Sequence, residues 1–213
     1  MGEIDSKEVE VYGRFPKPIE PTDRWKIFDV CQIIKDDEIK SIFDSFSKKW
    51  EKWDDLLSFY IDASFFVNHA KLQLFMYVAG LERWHDEQFP KENVYILEKL
   101  KRTKDKIGIV YERVFDRFGE ELKEGLEELW NGDYEQFLDK FFERAKDTRN
   151  AIAHASIAHP SRKKHVFEKP EEFIKANELL RLIFRACLLE ITRLKEERIA
   201  EILIGEEKNT RIK

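Results

Sequence analysis

The sequence predicts an all-α helical bundle, and three observations carry that prediction. From Asp36 onward apolar residues recur at intervals of three and four, the period that lays one stripe along a helix. The chain is 42% hydrophobic and 38% charged, a balance that suits helices with one packed and one solvated face. No self-similarity appears at a period of roughly 20 to 50 residues, which excludes a solenoid. At 213 residues there is enough chain for one sizeable domain, and 17 Phe set it apart from disordered sequences.

The opening residues differ from the rest. Val9, Val11 and Phe15 alternate with polar residues, and Pro16, Pro18 and Pro21 then interrupt any regular element, as in a short strand running into a linker. Residues 25–34 are apolar but too short to assign. The expected organisation is an N-terminal extended segment and linker over 1–35, a helical domain over 36–204 and a charged tail over 205–213.

Within the domain, Ile39, Ile42, Phe43, Phe46, Trp50 and Trp53 mark a first helix behind the acidic turn Asp36, Asp37, Glu38. Phe66, Ala70, Leu74, Tyr77, Val78, Leu81 and His85 mark a central helix over about 62–88, stopped by Pro90. Shorter helices are expected over 92–102 and 106–118, with Gly119 as the stop, and Leu122, Leu126 and Leu129 lead on to Trp130. Asn131, Gly132 and Asp133 read as an end and a restart, with Asp133 an N-cap. The next helix carries Phe137, Phe141, Ala145 and Arg149 at intervals of four. Pro170, Glu171 and Glu172 open a long helix with the stripe Phe173, Ala176, Leu180, Ile183, Phe184, Cys187, Leu188 and Ile191, and a short helix over 198–203 follows.

Several function classes are excluded at this stage. A net charge of -5 is wrong for a protein that coats nucleic acid by bulk electrostatics, so any RNA contact must use a local patch. Cys31 and Cys187 stand far apart with no CxxC, which indicates core thiols rather than disulfides or zinc. No apolar run approaches the roughly 18 residues of a membrane span, and the acidic start is unlike a signal peptide, so no membrane association and a cytoplasmic location are expected. No cofactor is indicated. Glu82 and His85 make a Glu-x-x-His pair, but a di-iron bundle needs a second such pair and two more carboxylates, so no metal site is expected. His69, among apolar residues, reads as a core histidine. Trp50, Trp53, Trp84 and Trp130 lie on helical stripes and read as core rather than as base-stacking platforms.

The candidate chemistry lies in the run from Asp147 to His154. RNA supplies its own nucleophile, the 2'-hydroxyl, so a metal-free site needs a proton acceptor, a proton donor and a cation for the phosphorane. Histidine, with an unperturbed pKa of roughly 6.5, suits proton transfer, and the arginine fork suits two phosphoryl oxygens at once. Arg149 and His154 have these identities. The spacing alone proves little: with 14 Arg and 5 His, an Arg four to six positions before a His arises about once by chance. On a straight helix the two would stand about 140° apart around the axis and about 7.5 Å along it. Either the helix ends near His154, or the pair flanks a cleft that a second copy completes, a packing that Ala151, Ala153 and Ala155 would permit. The plainer alternative is an Arg paired with an acid such as Asp147 and a His that caps or fills core. The run Arg162, Lys163, Lys164, His165 is the candidate local RNA-binding patch, against an ordinary solvated loop.

The segment FFERAKDTRNAIAHASIAHP and the helix ANELLRLIFRACLLEITRLKEERIAEIL together resemble the end of a HEPN domain. They are most similar to the C-terminal HEPN domain of ApeA-type anti-phage abortive-infection proteins, and LQLFMYVAGLERWHDEQF is similar to an earlier helix of that domain. The resemblance spans about residues 36–204. It implies a HEPN-type bundle acting as a homodimer, with Arg149 and His154 catalytic, Asn150 the polar supporting residue and Glu82 a partner behind them. It also implies metal-independent cleavage of single-stranded RNA, in defence or toxin action. The N-terminal residues match only a stub of the domain found in longer members, which leaves a regulatory or antitoxin protein as a further candidate partner. Ser156 stands where HEPN toxins silenced by nucleotidyl transfer carry a Tyr, and this counts against an antitoxin of transferase type. The rival reading is a HEPN module without cleavage activity that binds nucleotide, RNA or a partner protein.

Overall fold

A computed structural model describes residues 36–130, 132–154 and 165–211. The N-terminal strand and linker, Cys31, Asn131 and the basic residues Arg162, Lys163 and Lys164 fall outside the described residues. Among the described residues every regular element is helical. Helix α1 spans Asp36–Ile61 and runs into a π-helical turn, Asp62–Phe66; α2 spans Ala70–Gln88, α3 Ile96–Lys106 and α4 Gly108–Lys123. A 3-10 turn, Glu127–Leu129, precedes α5, Tyr134–Ala153; α6 spans Pro170–Glu190 and α7 Glu196–Arg211.

Helix α2 is the axis of the bundle. Leu74, Val78, Leu81 and Trp84 are wholly buried, and each such side chain contributes roughly 1.5–3 kcal/mol on burial. That outweighs the cost of about 1 kcal/mol for Gly80 inside a helix. Gly80 is there for closeness: a Cβ at this position would lie 2.3 Å from the Phe184 ring of α6. Helices α2 and α6 run in the same direction, since Asn177 donates to the Ala70 carbonyl at 2.9 Å near their starts and the Trp84 indole to the Cys187 carbonyl at 3.1 Å near their ends.

The expected central helix begins later than the apolar stripe suggests. Val67–His69 separate the π-helical turn from α2, Phe66 is 63% exposed, and His69 is the exposed N-cap of α2 rather than a core residue. Helix α3 starts four residues after the expected position. Helix α4 passes straight through Gly119, because glycine there costs only helix propensity and meets no backbone conflict; the turn comes at Gly125, whose φ is +76°. The last helix is longer than expected and continues to Arg211. The Pro170 start holds as read: the Glu172 carboxylate accepts the backbone N–H groups of Glu168 and Lys169 at 2.7 and 3.0 Å.

Candidate functional site

Helix α5 carries the site. Gly132 (φ +95°) turns the chain, and the Asp133 side chain accepts the Gln136 N–H at 3.0 Å, the expected N-cap. Phe137, Phe141 and Ala145 are wholly buried. Arg149 does not continue their stripe into the core. A four-residue step overshoots a full turn by about 40°, so three steps carry Arg149 about 120° away from Phe137 and onto the flank that faces α2. The helix then stops at Ala153. His154 is its C-cap, with φ -93° and ψ 1°, its N–H bonded to the Asn150 carbonyl at 3.1 Å and its side chain exposed. The helix therefore ends at the histidine, as one of the arrangements expected for Arg149 and His154 requires.

Arg149 is held from several sides and keeps 21% of its side chain exposed. Its Nε lies 3.2 Å from Glu82 Oε1, without hydrogen-bond alignment, and Nη2 donates to Glu82 Oε2 at 3.4 Å. Nη1 donates to the Asn150 side-chain oxygen at 3.2 Å, and the guanidinium lies 5.4 Å from the Phe75 ring centroid. A guanidinium has five N–H donors, so some remain for a phosphate. Glu82 sits in a mixed field: burial pushes its pKa up, Arg149 and Lys99 pull it down, and Asp86 adds to the rise, for a net upward shift.

The structure thus brings Arg149, Asn150 and Glu82 together. Asp147 pairs instead with Lys146, at 3.0 Å. His165 is exposed and stands at the edge of the undescribed segment. Glu82 and His85 diverge: His85 is wholly buried, its ring 4.9 Å from that of Phe89 and its Nε2 3.8 Å from Glu92. Among the described residues no group of three or more His, Cys, Asp or Glu is placed to hold a metal ion.

Sequence reasoning missed the other flank of α5. Arg144 Nη2 donates to the Val166 carbonyl at 3.0 Å and to Glu172 at 3.3 Å, Nη1 pairs with Glu128, and the guanidinium covers the Phe167 ring at 5.0 Å. Thr148 donates to the Arg144 carbonyl at 2.7 Å and accepts the Phe167 N–H at 2.9 Å. The chain that leaves α5 at His154 is therefore fastened back onto α5 just before α6 begins. One signal was present: a threonine next to the motif on a helix has a hydroxyl that must find partners when buried.

The Apea-like HEPN family model matches residues 75–198, more than half of the chain. The chain belongs to the Apea-like HEPN family. The match runs from within α2 into α7 and includes Glu82, Arg149 and His154, while α1 lies outside it. The all-helical architecture agrees with a HEPN domain. No curated protein and no solved structure matches the chain. No helix among the described residues of this HEPN protein is long and apolar enough to cross a membrane.

Proposed function

We propose that this protein is a metal-independent endoribonuclease that acts on single-stranded RNA as a homodimer, in anti-phage defence or toxin action. The observation that carries this reading is the end of α5: the helix stops at an exposed histidine, one and a half turns after an arginine that is anchored on its inner side and open on its outer one.

Arg149 then binds two non-bridging phosphate oxygens and stabilises the charge that builds on them as the 2'-oxygen attacks phosphorus. Imidazole accepts the 2'-hydroxyl proton, and a second proton is delivered to the departing 5'-oxygen. The products are a 2',3'-cyclic phosphate and a free 5'-hydroxyl. One His154 per chain supplies one of these transfers, so a two-fold pairing that brings two His154 and two Arg149 to a common cleft supplies both. Glu82 and Asn150 orient the arginine. RNA reaches an acidic protein through the local charge of Arg149 and the Arg162–His165 run.

The test is cleavage of generic single-stranded RNA in the presence of a chelator. Wild type is expected to release cyclic-phosphate ends, and Arg149→Ala and His154→Ala are expected to lose about 100-fold or more of that activity. Equal activity in all three proteins rules the proposal out. A monomer at micromolar concentration rules out the shared cleft.

A further inference from the structure

We propose that Thr148 is a positioning residue: its hydroxyl, by holding the Phe167 N–H, fixes the terminal turn of α5 that presents Arg149 and His154. The kinetic half of this inference rests on the ribonuclease reading above; the structural half stands without it.

The last carbonyls of any helix lack intrahelical partners, and terminal turns open at little cost unless something ties them down. In α5 the terminal turn is tied on two flanks. On one, Arg149 reaches Glu82 of α2. On the other, Thr148 reaches Phe167 on the approach to α6. The first tie runs through the arginine that, on the ribonuclease reading, also meets the phosphate. The second involves no group that meets substrate.

The chemistry of the second tie is well defined. A hydroxyl has one proton, and Thr148 spends it on the Arg144 carbonyl, so its oxygen can meet the Phe167 N–H only as an acceptor. Thr148 is 2% exposed and Phe167 3%, which leaves no room for water to take over the bond. Around it, Arg144 holds the Val166 carbonyl and Glu172, and Glu172 holds the N–H groups of Glu168 and Lys169. The receiving segment is therefore held by several hydrogen bonds, and Thr148, directly before Arg149, links the end of α5 to it.

Thr148→Val keeps the shape and removes the hydroxyl, and Thr148→Ser keeps the hydroxyl. Hydrogen exchange on the full chain is the first measurement. In the valine variant the amides of Asn150 to His154 and of Phe167 are expected to exchange about tenfold faster, with the α2 and α6 core unchanged, and the serine variant is expected to match wild type. Unchanged protection over 150–154 overturns the inference, and so does a uniform loss across the molecule.

The second measurement is steady-state cleavage of a single-stranded oligoribonucleotide. The valine variant should lose about tenfold in kcat with KM within about twofold of wild type, and serine should restore kcat. If wild type cuts and the valine variant cuts at full kcat, the positioning role falls and the ribonuclease reading stands. If wild type does not cut, the ribonuclease reading falls, and the exchange data alone decide whether Thr148 holds the turn.

Discussion

Arg144 and Arg149 occupy the same helix five residues apart, and each meets a glutamate from another helix. Arg144, 12% exposed, faces Glu172, 7% exposed, and also serves a backbone carbonyl, Glu128 and the Phe167 ring. Arg149 is nearly twice as exposed, its glutamate carries a raised pKa, and its further polar contact is to the neighbouring Asn150. Five residues turn a helix through about 500°, so the two arginines stand about 140° apart, and His154, another five on, about 140° further. One flank of α5 is thus committed to the start of α6, one to α2 and one to solvent. Arginine on the first flank is enclosed by its partners, and arginine on the second, in the proposed function, is the one that meets the ligand.

The largest expected effect tests the first half of that contrast. Arg144→Ala leaves Glu172 buried without its cationic partner and should lower stability by about 3–5 kcal/mol in guanidinium unfolding. Arg149→Ala should cost about 1 kcal/mol or less in the same experiment, while RNA cleavage falls about 100-fold or more. If both variants lose stability alike, the division of roles fails. The two ends of α5 offer a smaller test: Asp133→Ala removes the N-cap bond and should cost about 1 kcal/mol, with kcat unaffected because the site is at the opposite end.

The smallest effect concerns Glu82. Its folded pKa is raised, so its contribution to stability is fully present below the unfolded value and is lost as pH rises through the folded one. Wild type should therefore lose stability relative to Glu82→Gln as the pH climbs through that range in urea titrations. The opposite slope would mean that attraction to Arg149 outweighs burial at Glu82.

The helical architecture was legible because amphipathic periodicity is a local property. Val78, Leu81 and Trp84, or Phe173, Leu180 and Ile183, reveal their faces without any knowledge of what covers them. Boundaries were harder. Gly119 reads as a stop, yet an added Cβ there would come only to ordinary contact with Phe115 at 3.4 Å; nothing requires the chain to turn until the positive φ of Gly125. At the candidate site, the spacing of Arg149 and His154 is visible because they are near neighbours in sequence, while Glu82, which meets Arg149, enters only through the resemblance. The tie from Thr148 to Phe167 and the reach of Arg144 to Glu172 join residues 19 and 28 positions apart. No local pattern encodes such pairings, because they depend on how the chain returns after α5.

The helix end at His154 also bears on how much length variation this stretch tolerates. Before Arg149 the backbone is in phase with everything it touches, and one extra residue between Arg144 and Arg149 would swing the second arginine about 100° off Glu82. At His154 the regular winding has already stopped. A residue added there lengthens the tip without rotating Arg144, Thr148 or Arg149. Single-residue insertions should therefore be lethal to the site anywhere within the helix up to Ala153 and survivable only after His154, an asymmetry that a library of insertions from Arg144 onward would display directly.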